Sequence, residues 1–176
     1  MSEPKNSLAI VPVRVKLIPL TQGQFAIVDD FDYLWLSKWK WRALKTQREF
    51  YAVTWGRPHG APYSLAMHAI ILGTNGGDHI DGNGLNNTRR NLRPSTTSQN
   101  GVNRRLNRNS NSGFKGVTWR ASRKHWRAVI KAHGRAMDIG TFKDPTEAAM
   151  AYDSAAIKLF GEFARTNAML GLIPPA

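Results

Sequence analysis

Residues 78–93 read DHIDGNGLNNTRRNLR, and only Ile80, Leu85 and Leu92 in that run carry aliphatic side chains. So polar a segment cannot offer a continuous face to a hydrophobic core. It has to turn tightly, and Asp81-Gly82 supplies the turn because glycine accepts a positive φ at no steric cost. An ordinary hairpin needs no Asp-His pair beside that turn. The segment is therefore either a polar hairpin or a small active site, and the rest of the chain has to decide between them.

Charge placement narrows the choice. The 176 residues carry a formal charge of +13, and between Gly82 and Met137 there are thirteen Lys or Arg with no Asp or Glu. A field of that sign concentrates polyanions, so the expected partner is nucleic acid. The competing anion is a membrane surface. No apolar run reaches the ~18 residues of a spanning helix, and the start MSEPKNSLAI lacks the basic and long apolar regions of a signal peptide. Cysteine is absent, which excludes a disulfide framework and a thiolate zinc site. The expectation is an intracellular, soluble chain with no small-molecule substrate.

Along the chain, Val13, Val15 and Leu17 alternate, a polar TQGQ turn follows, and Phe25 and Ile27 continue the alternation. That pattern predicts a hairpin with those residues on one face. A short helix carrying Leu34, Trp35 and Leu36, capped by Asp29 and Asp30, comes next, and WKWRALK and EFYAVTW read as strands. Trp39 and Trp41 read as core and sheet-face residues. SLAMHAIILG runs from strand into a short helix. GVNRRLNRNSNSG, 101–113, has the Asn and Arg content of a linker. Beyond it FKGVTWR, HWRAVIKAHG and AMDIGTF are three short strands. DPTEAAMAYDSAAIKLFG is a helix with Asp144 as N-cap, Pro145 at its first position, Glu147 completing a capping box and Gly161 at its end. Ala148, Tyr152, Ala155 and Leu159 share one face.

Phosphodiester cleavage needs a base for water, neutralisation of the phosphate and support for the leaving oxygen. One imidazole and one hard cation can supply these. His79 titrates in the useful range, and a nearby side-chain amide could fix its tautomer. Asp78 falls on the opposite face of an extended strand, so a bulge or turn must let both serve one site. Mg²⁺ asks for only one or two protein oxygens besides water and phosphate.

With Asp78-His79, Asn91-Leu92-Arg93 and Ser98-Gln99-Asn100 at these spacings, the segment resembles the HNH nucleases, in the histidine-asparagine-asparagine variant of phage and intron-encoded homing endonucleases. The resemblance implies a ββα-metal (His-Me finger) unit with DHIDGN on the first strand and turn, NLRPST on the second strand and TTSQN opening the helix. It implies His79 as general base, Asn91 orienting the imidazole, and Asp78 and Asn100 as ligands of Mg²⁺ or Mn²⁺. The Met67-His68 pair also matches, although Ala69 stands where an Arg is frequent and the role of His68 stays open. Arg89, Arg90 and Arg93 are candidate DNA contacts beside the site.

SGFKGVTW, KHWRAVI, IGTF, EAAMAYDSAAIKLFG and the closing ARTN resemble the Apetala-two (ethylene-response-factor) DNA-binding domain. There a three-stranded sheet lies in the major groove with a helix behind it. The resemblance implies Lys115, Arg120, Arg127 and Lys131 as contacts, Arg123 and Arg135 close by, and Trp126 at the border of the sheet and the duplex. Arg104, Arg105 and Arg108 of the linker can track phosphates. Thr118 and Val129 replace the Arg and Glu of the plant domains, so no base preference follows.

The expected fold class is α+β: a ββα-metal nuclease domain, then a small three-stranded antiparallel sheet packed on one helix. The expected boundaries are 1–100 for the nuclease part with its core at about 67–103, 101–111 for the linker, 112–167 for the DNA-binding domain and 168–176 for a tail. The expected activity is metal-dependent cleavage of double-stranded DNA. A monomer with one site nicks; a double-strand break needs a homodimer or two visits. The rival expectation is a DNA-binding regulator whose nuclease unit is inactive. An RNA-binding reading is weaker, because neither an aromatic ribonucleoprotein motif nor a suitable GxxG clamp is present.

Overall fold

In a computed structural model the described residues are 14–56, 63–74 and 76–174; the opening stretch, Val13 included, lies outside them. Small antiparallel sheets and short helices make an α+β architecture. β1 (Val15–Pro19) pairs with β2 (Phe25–Asp29), α1 (Asp30–Leu36) follows, and β3 (Arg42–Lys45), β4 (Phe50–Gly56) and β5 (Tyr63–Ala66) form a meander. α2 (Met67–Leu72) continues directly from β5 and ends at Gly73, whose φ of 65° closes it. None of the described helices is long and apolar enough to cross a membrane.

The face that Val15, Leu17 and Phe25 share in the first hairpin is the outer one. Val15, Leu17 and Phe25 are exposed, whereas Ile18, Ala26 and Val28 are buried with Leu36, Trp41, Ala52, Met67, Ile71 and Leu92. Alternation defines two faces but does not say which is covered. The smaller side chains of Ala26 and Val28 are the ones that let α1 approach. Trp41 closes this core and donates its indole N–H to Leu36 O at 2.8 Å, while Trp39 stacks on it from the exposed side, 6.1 Å between ring centroids.

β6 (Asp78–His79) pairs with β7 (Leu92–Arg93) around the polar loop, and α3 (Thr97–Val102) follows. Thr96 and Gln99 satisfy each other's end of α3 in a reciprocal capping box. The loop between β6 and β7 is not free. Ile27 N donates to Leu85 O at 2.8 Å and Asn87 N donates to Ile27 O at 2.7 Å, so the first hairpin clamps the segment.

The C-terminal unit is a three-stranded sheet in the order β10 (Arg135–Phe142), β9 (His125–Ala132), β8 (Val117–Arg120), with α4 (Pro145–Phe160) across it. Asp144 accepts from Thr146 N and Glu147 N as an N-cap does; the reciprocal bond expected of Glu147 is not formed. The buried face of α4 is Ala148, Ala149, Tyr152, Asp153 and Ala156, while Leu159 is exposed. That is a rotation from the expected stripe, and it brings small side chains against the sheet. Gly116 has a φ of 70°, and a Cβ there would lie 2.0 Å from the Tyr152 ring, so glycine alone fits. Residues 101–111 are more than a tether at their start: Val102 packs with Ile130, Tyr152, Ala156 and Ala164.

Candidate active site

His79 is 4% exposed and Asp78 3%, although they are neighbours on a two-residue strand. Beyond them the chain bends back at once: Gly82 N donates to His79 O at 2.8 Å, and Gly82 has a φ of 70°. Asp81 then organises the loop. It accepts from Asn83 N, Asn86 Nδ2 and Asn91 Nδ2 at 2.8 to 3.0 Å. Burial acts to raise its pKa, but these hydrogen bonds outweigh burial and hold the carboxyl below its ordinary range.

The His79 imidazole has one hydrogen-bond partner among the described residues, Asn87, whose Oδ1 is 3.3 Å from Nε2. Acceptance by Oδ1 fixes the proton on Nε2 and leaves the Nδ1 lone pair free. The edge of the ring meets His68, 4.8 Å between centroids, and Tyr51, 5.8 Å. Burial lowers the His79 pKa, opposed by the Asn87 contact and by Asp81, Glu49 and Asp78. Burial, and secondarily the charge of His79, pushes His68 down to about 4. Both rings are therefore neutral near pH 7. Tyr51 donates to Glu49 at 2.8 Å, and burial raises its phenol further.

Asn91, which the resemblance implies as the residue orienting the imidazole, makes no hydrogen bond to the His79 ring among the described residues. It takes Asp81 N on Oδ1 at 3.0 Å and donates to Asp81 Oδ1 and Asn86 O. Its amide is turned into the loop, and Asn87 stands where an imidazole partner was expected. The reason is the clamp by Ile27, which carries Asn87, rather than Asn91, under the ring.

Asp78 is held from two sides. Arg93 approaches Oδ2 through Nε at 3.1 Å and Nη2 at 2.8 Å, and Asn103 Nδ2 is 3.0 Å from both oxygens. Asn100 donates Nδ2 to Gly77 O at 3.1 Å, and its Oδ1 accepts no hydrogen bond among the described residues. Asp78, His79 and Asn100 line one cleft of about 700 Å³ with Glu49, Tyr51, Arg104 and Arg105. Among the described residues no three His, Cys, Asp or Glu cluster to cage a metal. Asp78 Oδ1 is engaged only by Asn103, and Asn100 Oδ1 accepts nothing among the described residues; these two residues of the cleft could offer oxygens to a hard cation that keeps its waters.

The basic residues divide sharply. Arg93 is committed to Asp78, and its guanidinium lies 3.9 Å from the Phe163 ring centroid, so it is not a surface contact. Arg89 pairs with Asp32, an aspartate 0% exposed; Arg90, Arg104, Arg105 and Arg108 are exposed. Lys115 is also turned inward. It is 7% exposed and its Nζ donates to Val102 O and Arg165 O, because the Gly116 turn points residue 115 behind the sheet. Arg120, Arg127 and Lys131 share the face opposite the buried Ala128 and Ile130. Arg127 is paired with Asp138 at 2.8 Å. Arg123 and Arg135 are exposed near the sheet ends, and Trp126 packs with Trp119 and Phe142 on the helix side.

Sequence reasoning missed Asn87, Asn103 and Arg165. Asn103 lies three positions beyond Asn100 on the same helical side, a signal that was available. Arg165 had none: it follows α4, yet it lines the same cleft.

A family model for the AP2 domain matches residues 112–162. The chain is 33% identical over 150 residues to the uncharacterized HNH endonuclease L560 of Acanthamoeba polyphaga mimivirus, covering 83% of this chain and 76% of that protein. It is 34% identical over 88 residues to Protein 3.8 of Escherichia phage T7, covering 50% of this chain and 72% of that one.

Proposed function

The chain belongs to the HNH endonuclease family and carries an AP2 domain, and from that premise we propose that it is a metal-dependent nuclease that hydrolyses phosphodiester bonds in double-stranded DNA held by its C-terminal sheet. One observation carries the reading: Asp78, His79 and Asn100 line a single cleft in which the imidazole is buried and neutral.

In this reading β6, β7 and α3 are the ββα-metal unit. His79 takes a proton from water at its free nitrogen while Asn87 holds the other. The hydroxide attacks phosphorus, the bond to the 3′ oxygen breaks, and that oxygen takes a proton from solvent. The products are a 5′-phosphate and a 3′-hydroxyl. Asp78 and Asn100 would hold Mg²⁺ or Mn²⁺, which when bound neutralises charge on the phosphate and the leaving oxygen. Arg93 and Asn103 keep Asp78 in one orientation. Exposed Arg120 and Lys131 meet the duplex from the outer sheet face. One site cuts one strand, so a monomer nicks. In this reading the protein works in the cell interior, as for an enzyme of phage or bacterial origin.

A DNA-binding regulator with a silent nuclease half is the second reading. It draws on the 2.8 Å pair of Arg93 and Asp78, which already brings positive charge to the carboxylate. Supercoiled plasmid and phage DNA with Mg²⁺ or Mn²⁺ separates the two. Nicking that EDTA and His79→Ala both abolish supports the nuclease. Intact DNA in the presence of tight binding supports the regulator.

A further inference from the structure

Arg165 belongs to the C-terminal unit by sequence and to the nuclease cleft by position. The main chain around it is locked: Ala164, Thr166 and Asn167 are 3%, 3% and 0% exposed, and its own carbonyl accepts the Lys115 ammonium. From this rigid segment the side chain crosses to the loop and helix that carry the site. Nη2 donates to Asp81 O at 2.8 Å and Nη1 to Asn103 O at 3.4 Å. Gly82 leaves the room for it, since a Cβ there would stand 2.4 Å from Nη1.

The partners of this guanidinium are neutral carbonyls. Among the described residues no carboxylate lies within ion-pair distance of it, unlike Arg93, Arg89 and Arg127. Burial first and then Arg105 disfavour its charge, with Asp81, Asp78 and Glu49 acting the other way from beyond ion-pair distance, and both arginines line the cleft with His79 and Asn100. A half-buried cation with two donors engaged out of five still has donors to offer, and a second unpaired cation beside it calls for an anion. The anion that the cleavage reaction brings to this cleft is the phosphodiester.

We propose that Arg165 contacts the phosphodiester being cut, so that the C-terminal unit completes the active site as well as holding DNA. The inference rests on the nuclease reading above. Two consequences follow from the geometry. Loss of the charge slows the cleavage step more than it weakens binding, because the extra phosphate charge develops during attack. The two halves of the chain also cannot work as independent modules.

The test is single-turnover cleavage by the full-length protein of a DNA that the wild type cuts, with duplex affinity measured in EDTA and thermal melts as controls. Arg165→Gln keeps a donor for Asp81 O but removes the charge; Arg165→Lys keeps the charge. The expected result is a cleavage rate lowered about a hundredfold in the Gln variant and about tenfold in the Lys variant, in line with removal of one transition-state donor. Affinity should fall no more than a few-fold and both proteins should melt as folded. A Gln variant that cuts at the wild-type rate overturns the inference. So does a Lys variant as slow as the Gln variant with losses that follow melting temperature. If no plasmid or phage DNA that the wild type binds is also cut by it, the nuclease reading and this inference fall together, whereas His79-dependent cutting untouched by Arg165→Gln overturns this inference alone.

Discussion

Asn87 Oδ1 lies 3.3 Å from His79 Nε2, and Asn87 is fully buried on a segment that Ile27 clamps through main-chain hydrogen bonds. Asn87→Ala removes the acceptor and leaves a buried imidazole N–H unpaired, at a cost of about 1–3 kcal/mol. Cleavage should fall roughly ten- to a hundredfold as the ring loses its orientation. Asn91→Ala instead leaves Asp81 N without its acceptor and removes one of the three donors to the Asp81 carboxylate, so the whole loop loosens. Urea melts beside nicking rates separate the two: Asn87→Ala loses rate out of proportion to stability, whereas Asn91→Ala loses both. Equal behaviour of the pair would contradict the division of labour described here.

Burial, and secondarily the charge of His79, brings the His68 pKa down to about 4, so in the proposed site it is a neutral packed ring rather than a charge. Its centroid is 4.8 Å from that of His79, edge to face, and it makes no side-chain hydrogen bond among the described residues. His68→Phe preserves an aromatic edge and should keep cleavage within about threefold. His68→Ala opens space beside His79 and should lower it by about tenfold, in line with the sensitivity of such sites to small displacements. A Phe variant as slow as the Ala variant would instead assign His68 a proton or a hydrogen bond during the reaction.

The sequence made some of this legible and hid the rest for physical reasons. The order of β6, turn, β7 and α3 could be read from the resemblance that Asp78-His79, Asn91-Leu92-Arg93 and Ser98-Gln99-Asn100 carry, with Gly82 marking the turn. The C-terminal sheet and α4 could be read from period and from Asp144-Pro145. Asn87 could not, since a buried loop amide is spelled like any turn former, and only the contact with Ile27 distinguishes it. The first hairpin shows that alternation leaves the covered side open. The resemblance placed Lys115 among the contacts, and nothing in the residue's own type marks the positive-φ turn at Gly116 beside which it is buried. Arg165 was invisible, as its partners Asp81 and Asn103 are far away in the chain.

Lys115 offers a pH signature of its inward turn. Burial first, and then the charge of Arg165, brings its pKa down to about 8, with Asp153 pulling the other way. Between pH 8 and the ordinary lysine value near ~10.4, the unfolded chain holds a proton that the folded chain has released. Stability contributed by this group therefore rises with pH in that window. Urea titrations of wild type and Lys115→Met should show the wild type gaining on the variant from about pH 8 to about pH 10. The tyrosine shifts are common to both proteins and cancel in the difference. A difference that is flat or falls with pH would mean that Lys115 stays solvated.

The same inward turn predicts which cations DNA binding can sense. Each phosphate neutralised by a side chain contributes close to ~0.9 to the slope of log affinity against log salt. Arg120 and Lys131 are exposed on the sheet face opposite α4, so Arg120→Ala and Lys131→Ala should each lower that slope by about one. Arg127 is already paired with Asp138 at 2.8 Å, and its removal should change the slope less. Lys115→Met should leave the slope unchanged, because its ammonium faces Val102 O and Arg165 O rather than solvent. Filter binding of duplex in EDTA across a salt series measures all four variants without cleavage. A slope that drops for Lys115→Met as it does for Lys131→Ala would place residue 115 on the DNA face after all, and with it a different seating of the sheet against the nuclease half.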